Sequence, residues 1–410
     1  SGRPLEVRHH SFSHDPEVSP MATAALARPG HRRSEVGPVE LFFDLVYVFA
    51  IIQLSHVLIE HLSWEGAAQT VVVFAALWWG WNYTTWAMNW LDPGRTQVQL
   101  LCGVLMLTAL GMSIAIPRAF EDAAWLFVGC YLLMGVIRPV FMMIAYRGHR
   151  LAANYRMLLL WTLLAGVFWV LGAALPAGSR LALWVVAVVV DYAAPLAQYR
   201  IPGLGSAPME HWDTDADHLA ERNRLVFIIA LGESILLMGG SIVASGQLTG
   251  SLALSAVIGF ASLFVLWWNY FALAGPETRG GDSSTAALRS AYAYAHALMV
   301  LGAILVAVSI EQRLSHDHLT PATVLVTSAG PLVYLVGNVL FLRSRFGRLT
   351  RSRFIAAAVL IVLTFVAMPL TRHLPVSAFS VAVLAVTATL AAHTAYTTRR
   401  QAQEDSPQQP

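Results

Sequence analysis

The sequence predicts an all-α membrane protein, a polytopic bundle of about twelve transmembrane helices. Of its 410 residues, 57% are hydrophobic and only 12% are charged, and the mean hydropathy is +0.59. Soluble domains carry about 25% charged residues. Runs of about 20 apolar residues recur along the chain, and a helix of that length crosses the roughly 30 Å of hydrocarbon in a bilayer. The lipid bilayer is therefore the first partner that the sequence predicts.

The apolar runs divide into two sets of six predicted spans. The first set covers residues 39–58, 67–90, 97–116, 123–146, 156–175 and 181–199. The second set covers residues 222–244, 251–274, 287–310, 321–342, 353–371 and 375–397. We expect one transmembrane domain over residues 37–398, with halves at about 37–200 and 218–398. The polar stretches 1–36 and 399–410 are predicted to be a disordered cytoplasmic extension and a disordered tail.

The arginines orient these spans, because cytoplasmic loops of membrane proteins carry an excess of basic residues. We assign the loops alternately to two sides, with the N-terminus inside. The outer side then receives only Arg118, Arg180, Arg313 and Arg372, and the other loop arginines fall inside. The sequence therefore predicts a multi-pass protein of the inner cell membrane with both termini in the cytoplasm.

Several function classes find no support in the sequence. The net charge is only +2, and no basic patch is interleaved with aromatic residues, so nucleic acid is not an expected partner. No phosphate loop, nucleophile elbow, HExxH or redox motif is present. Cys102 and Cys130 lie inside apolar runs and form no metal-ligand spacing. We expect no cofactor and no metal.

Two acids stand at the start of the first span, in PVELFFDLVYVFAI at 38–51. Glu40 and Asp44 are four residues apart and share one helix face. Carboxylates near a helix N-terminus are stabilised by the helix dipole, so capping is one interpretation. The other is that the two acids guard an aqueous or substrate path, and we favour this second interpretation.

Other polar residues lie deeper in the first six spans. A charge inside a membrane helix costs roughly 2.5–3.5 kcal/mol on insertion scales, so it usually faces a partner or a cavity. Asn82 lies among tryptophans in the second span, Arg138 precedes a proline in the fourth, and Asp191 lies in the sixth. An ion pair between Arg138 and Asp191 would satisfy both charges.

The seventh span, HLAERNRLVFIIALGESIL, is the richest in polar residues. His218, Glu221 and Arg222 have the spacing i, i+3 and i+4 and share one face. Glu233 lies eleven residues beyond Arg222, within about 20° of the same line along the helix. It has no partner nearby in the sequence. Glu233 is therefore either paired with an arginine elsewhere or a site for a proton or substrate.

These two stretches also carry a family resemblance. VELFFDLVYVFAIIQLSH at 39–56 and HLAERNRLVFIIALGESIL at 218–236 resemble the bacterial low temperature requirement A family. The matching motifs are E-L-F-F-D-L-V at Glu40–Val46, H-x-x-E-R at His218–Arg222 and L-G-E-S at Leu231–Ser234. The resemblance covers about residues 36–395. It implies a many-helix protein of the bacterial inner membrane, and it implies a fold more than an activity.

The favoured hypothesis is a transporter or channel for a proton, a cation or a small solute. Protonatable acids inside a bundle suit a proton relay. LVYVFAI at 45–51 resembles LVFIIAL at 225–231, and many transporters consist of two such halves. In this hypothesis Glu233 and Asp191 are midplane sites. Glu40 and Asp44 form the cytoplasmic gate, with Arg222 as their counter-charge.

Two alternatives stay open. One is an intramembrane enzyme acting on a lipid or isoprenoid-like substrate, in a cavity lined by Phe43, Trp81, Tyr83 and Trp86. Glu233 or Asp44 would then be a general acid, or His218 and Glu221 would hold a metal. The other is a structural or sensory protein whose polar residues lock the helices together. Glycine and alanine are plentiful in the spans, so a homo-oligomer also stays open.

Overall fold

The computed structural model describes residues 26–28, 35–247, 249–272, 284–315 and 318–404. Nearly all regular structure in these ranges is helical. The α-helices are α1 (Pro38–Glu60), α2 (Trp64–Met88), α3 (Thr96–Ala115), α4 (Ala124–Ala145), α5 (Arg150–Ala174), α6 (Ala177–Leu196), α7 (Ala216–Ala244), α8 (Gly250–Phe271), α9 (Thr285–Arg289), α10 (His296–Ser315), α11 (Pro321–Phe346), α12 (Arg351–Ala367) and α13 (Val376–Glu404). A π-helical turn, Ser290–Ala295, joins α9 to α10 in one rod.

The predicted fold class is confirmed. Each of the twelve predicted spans lies on one of the twelve long helical rods of the described chain, and eleven of these rods are long and apolar enough to cross a membrane. The remaining rod is α2, which is rich in tryptophan and threonine. Every residue from 72 to 82 of α2 is buried. Other helices therefore shield α2 from lipid, and it does not need a purely apolar surface.

The outer surface of the bundle is apolar. Leu107, Val362 and Phe365 are 69%, 60% and 74% exposed, and many other large apolar side chains also point outward. A surface of this kind is typical of a protein that contacts a membrane. The buried side contains tryptophan, arginine and carboxylate side chains, so polarity increases toward the interior of the protein.

The helices of the two halves contact one another in the same order. In the first half the contacts form a closed ring, α1–α3–α4–α5–α6–α2–α1. In the second half the ring is α7–α10–α11–α12–α13–α8–α7. Helix α7 therefore occupies the place of α1, and α8 the place of α2. Five spans lie between α1 and α7, so both helices start at the same end of the bundle, which we call the N-face.

The two rings meet along α1, which contacts both α7 and α10. Because α1 and α7 run in the same direction, residues near the start of each helix face one another at the N-face. Substrate and coupling-ion sites of two-repeat transporters lie at this kind of interface. A functional site is therefore expected at the interface between the rings.

Helices α10 and α11 approach one another closely at glycines. A Cβ added to Gly302 would lie 2.6 Å from the backbone nitrogen of Tyr334 and 2.8 Å from the carbonyl oxygen of Gly330. Small residues at such contacts let two membrane helices pack backbone against backbone. This contact holds α10, the helix next to the interface, firmly inside the second ring.

Parts of the two predicted polar ends lie within the described residues. Ala27 forms a β-bridge with Leu91, and the backbone nitrogen of Arg28 donates to the carbonyl of Trp90. Residues 1–25 and 29–34 of the predicted extension lie outside the described residues. At the other end α13 continues to Glu404, so the helix extends beyond the predicted boundary at 399. Residues 405–410 also lie outside the described ranges.

Candidate functional site

Glu40 lies at the centre of a buried ion cluster at the N-face. Its Oε1 accepts hydrogen bonds from Arg222 Nη1 and His218 Nε2, both at 2.9 Å. Its Oε2 accepts from Arg28 Nη2 and the Gly37 amide, both at 2.8 Å. The side chain is fully buried. An ionised carboxylate offers about four acceptor positions, so every position on Glu40 is occupied.

Asp44 extends the same cluster by one turn of α1. Its Oδ1 accepts hydrogen bonds from Arg222 Nη2 at 2.5 Å and from Trp81 Nε1 at 2.8 Å. Arg222 therefore gives one N–H to each acid, which its planar fork permits. The guanidinium carbon also lies 5.8 Å from the Trp81 ring centroid, a cation–π distance. Asp44 Oδ2 and Arg222 Nε have no hydrogen-bond partner within the described ranges.

The start of α7 is fixed by residues that surround His218. Asp215 caps the helix, and its carboxylate accepts from the amides of Asp217 and His218. Asn89, at the end of α2, binds the backbone of Asp215 through both amide atoms and lies 3.2 Å from His218 Nδ1. Because the Glu40 carboxylate accepts from Nε2, the hydrogen-bond network assigns Nδ1 as the acceptor of the Asn89 amide. These bonds fix the axial position of α7 relative to α1.

Glu221 does not belong to this cluster. Its side chain is 44% exposed and contacts Arg224 at 3.4 Å. His218 already uses both ring nitrogens, so the two residues do not converge on a common point. In the part of the chain that the structure describes, no group of three His, Cys, Asp or Glu residues could hold a metal ion.

The cluster brings together four of the predicted site residues, Glu40, Asp44, His218 and Arg222. Two carboxylates face two guanidiniums, so their formal charges balance without a bound ion. The acids come from the first ring, whereas Arg222 and His218 come from the second. The arrangement therefore clamps the two rings together at the N-face. Asn82, Asp191, Glu221 and Glu233 lie elsewhere.

Asn82 faces the π-helical turn of the second ring. Its Nδ2 lies 3.4 Å from the carbonyl oxygen of Tyr292, and Trp78 Nε1 donates to the carbonyl of Ala293 at 2.7 Å. A π-helical turn interrupts the usual α-helical hydrogen bonds, so its carbonyls can accept from neighbouring helices. Asn82 also lines an aromatic cavity with Trp79, Tyr83, Trp86, Tyr155, Tyr199 and Trp212.

Only part of the predicted aromatic lining is found in this cavity. Tyr83 and Trp86 line it, as the sequence predicts. Trp81 instead donates its N–H to Asp44, and Phe43 is 1% exposed in the main hydrophobic core. The described lining contains an arginine, Arg289, and no acid. A general acid at Asp44 or Glu233 would therefore not face this cavity.

Asp191 lies inside the first ring and makes no direct ion pair with Arg138. Its Oδ2 accepts from Tyr131 Oη at 2.7 Å and Trp169 Nε1 at 3.2 Å. Arg138 donates instead to the carbonyl of Gly80 and the hydroxyl of Thr84, both at 3.0 Å. Both charged residues line one narrow cavity, which has room for about one water molecule.

Glu233 is buried at a distance from the ion cluster. It is 2% exposed, and its Oε2 has no hydrogen-bond partner among the described residues. The eleven residues that separate it from Arg222 place it about 16 Å farther along α7. It therefore belongs to a different level of the bundle.

Sequence reasoning missed two contributors to these sites. Arg28 lies in a polar stretch without periodicity, so nothing in the sequence linked it to Glu40. The second ring also has an interior cavity, lined by polar residues that include Asn269, Ser309 and Arg313. The sequence contained one signal for this cavity. The tripeptide WNY occurs both at 81–83 and at 268–270, on the equivalent helices α2 and α8, and its second copy includes Asn269 of the lining.

Comparisons with known proteins agree with this architecture. A family model described as bacterial low temperature requirement A protein (LtrA) matches residues 35–392. The chain is also 32% identical over 357 residues to uncharacterized protein RA0937 of Rhizobium meliloti (strain 1021), an alignment that covers 85% of this chain and 87% of that protein. The family match begins after Arg28, but it spans Glu40, Asp44, His218 and Arg222 and most of both rings.

Proposed function

The chain belongs to the bacterial low temperature requirement A family, and from that premise we propose that it is a transporter of the inner cell membrane. The cargo is a proton, a cation or a small solute, and it crosses between the two six-helix rings. The orientation in this proposal has both termini in the cytoplasm, which the arginine distribution supports. The N-face is then the cytoplasmic face.

One observation carries the proposal. Arg222 of the second ring binds Glu40 and Asp44 of the first ring at 2.9 Å and 2.5 Å, in a fully buried position at one end of the interface. Opening the interface at this end requires that these bonds break. Separated charges regain hydration, and this gain compensates for much of the lost attraction. A charged contact can therefore open and close where a purely apolar contact would stay shut.

Unused hydrogen-bond capacity in the cluster also supports a gate. Asp44 Oδ2 and Arg222 Nε are buried and have no partner within the described chain. A contact that served only to stabilise the fold would be expected to satisfy such groups, because each unsatisfied one costs about 1–3 kcal/mol. In a gate, these unpaired groups would bind water or cargo in another conformation, and those bonds would compensate for the cost.

Proteoliposomes test the proposal. Purified protein is reconstituted, and gradients of H⁺, Na⁺ and K⁺ are imposed with ion-sensitive dyes inside, beside a panel of labelled small solutes. We expect the wild type to dissipate at least one gradient faster than empty liposomes. The double variant Asp44→Asn with Arg222→Gln keeps polar side chains at both positions but removes the charged contact, and we expect it to change that rate several-fold.

The surface ion pair Arg95–Asp92 provides a matched control at the same end of the bundle, at 3.4 Å and partly exposed. Asp92→Asn with Arg95→Gln should leave the flux unchanged. Folded wild-type protein that moves none of the cations or solutes would refute the proposal. The structural hypothesis, in which the same cluster is only a lock, would then be favoured.

A further inference from the structure

The ion cluster defines a common level on three helices. Asp44 on α1 is bound by Trp81 on α2 and by Arg222 on α7, at 2.8 Å and 2.5 Å. Helices α1 and α7 run away from the N-face, and α2 runs toward it. A second level, farther from the N-face, is therefore reached by adding a fixed number of residues on α1 and α7 and subtracting the same number on α2.

Eleven residues from that level, each helix carries an oxygen-bearing side chain. These residues are Ser55 on α1, Thr70 on α2 and Glu233 on α7. Eleven residues are three turns plus about 20°, a rise of about 16 Å, so each side chain lies on the same face as its counterpart in the cluster. Three residues farther on, Leu58 of α1 lies in a small apolar cluster against which Ala67 of α2 packs, so both helices reach the same level here.

All three side chains are buried and lack partners. Ser55, Thr70 and Glu233 are 0%, 2% and 2% exposed. Ser55 Oγ, Thr70 Oγ1 and Glu233 Oε2 have no hydrogen-bond partner in the described part of the chain. A helical serine or threonine can bond to the carbonyl four residues earlier. Ser113, which is equally buried, does so at 2.7 Å, whereas Ser55 and Thr70 do not.

The three unpartnered side chains at this level offer only oxygen atoms, and one of them is a carboxyl group. Each unsatisfied buried group costs about 1–3 kcal/mol, so a ligand that contacts all three would remove this cost. No described arginine or histidine contacts Glu233, so a bound cation would supply its counter-charge. Carboxylate and hydroxyl oxygens are ligands that hard cations prefer. We propose that Ser55, Thr70 and Glu233 form a binding site for a monovalent cation of the Na⁺ type at the interface between the two rings.

This site is separate from the ion cluster, and its binding can be measured without transport. Purified protein in detergent is unfolded thermally while NaCl replaces N-methylglucamine chloride at constant ionic strength. A ligand that binds only the folded state raises the melting temperature in a saturable way. We expect such a rise for the wild type, an apparent Kd at least tenfold weaker in Ser55→Ala and Thr70→Val, and no rise in Glu233→Gln.

Two further variants control for packing. Ser113→Ala removes a buried hydroxyl that bonds only to its own helix and should keep the wild-type Kd. Thr70→Ser keeps the hydroxyl and should also bind Na⁺. If the Ser55 or Glu233 variants do not fold, equilibrium binding of ²²Na⁺ to the wild type and to Thr70→Ser and Thr70→Val still decides the question.

The proposal is overturned if Na⁺, Li⁺ and K⁺ all leave the wild-type melting temperature unchanged, or if Glu233→Gln responds as the wild type does. A response to pH alone that Glu233→Gln abolishes would make the site a proton site and would also overturn it. Saturable Na⁺ binding without flux in liposomes would retain this site and remove the proposed transporter. Flux without Na⁺ binding would do the reverse.

Discussion

Asp44 on α1 and Arg222 on α7 are joined by a 2.5 Å hydrogen bond that connects one six-helix ring to the other. Both side chains are fully buried, so this is not one of the exposed ion pairs that contribute little to stability. In a buried pair, loss of one partner leaves the other charged and unhydrated.

Replacing Arg222 should strongly destabilise the protein. Arg222→Gln leaves Glu40 and Asp44 close together without their shared cation, and we expect the free energy of unfolding to fall by about 3–5 kcal/mol. Adding Asp44→Asn should recover part of this loss, because it removes one unpaired charge. Denaturant unfolding in detergent measures both changes. An Arg222→Gln protein as stable as the wild type would show that the cluster does not hold the rings together.

Removing Arg28 should have a smaller effect. Glu40 would keep Arg222, His218 and the Gly37 amide, so Arg28→Ala should lower the free energy of unfolding by about 1.5–3 kcal/mol, the range for a hydrogen bond to a charged group. Arg95→Ala removes an arginine that is 52% exposed and should cost at most about 1 kcal/mol. The same unfolding assay compares the two. Equal losses would mean that the segment containing Arg28 adds nothing to the cluster.

The contact between α10 and α11 should not tolerate a methyl group. In Gly302→Ala the new Cβ meets the backbone of Tyr334 and Gly330, which cannot rotate away as a side chain can, and overpacking of this kind costs about 1–3 kcal/mol. Gly129→Ala is the control, because no atom lies within 4 Å of a Cβ there. It should be neutral or stabilising by up to about 1 kcal/mol. Melting temperatures of both variants test the prediction, and the opposite order would contradict it.

The proposed orientation predicts which loops a membrane-impermeant maleimide can reach. Single cysteines are placed at exposed positions, Arg147→Cys at the N-face and Gly178→Cys at the opposite end, in a background with Cys102→Ser and Cys130→Ser. In intact cells we expect labelling of Gly178→Cys only. Arg147→Cys should react after the membrane is permeabilised. The reverse pattern would place the N-face outside.

The sequence predicted the helices better than the contacts between them. Length and hydropathy decide whether a helix crosses a membrane, so the twelve spans could be located from apolar runs alone. Helix α2 was found in the same way, but the sequence did not predict that its residues 72–82 are all buried. Helix α13 continues to Glu404, past the end of its apolar run, and an apolar run alone does not specify such an extension.

The partners of buried charges could not be derived from the sequence. The pairing of Glu40 with Arg222 depends on the positions of α1 and α7 after folding, and helical spacing within one span does not specify a neighbouring span. For the same reason, the sequence could suggest an ion pair between Arg138 and Asp191 but did not reveal that each of them binds other groups instead. Helical spacing did place Glu233 on the face of Arg222, because that relation lies within one helix.

The helices have the same order of neighbours in both rings, but the two halves are not interchangeable. A symmetric dimer of two identical six-helix units would bring each first helix against its own copy, and side chains on a two-fold axis parallel to these helices would meet their own copies. Two acids would then oppose two acids. Within a single polypeptide the acids stand on α1 and the arginine on α7, so the contact is complementary. The two halves are therefore complementary at this contact, and replacing one half by a copy of the other would remove it.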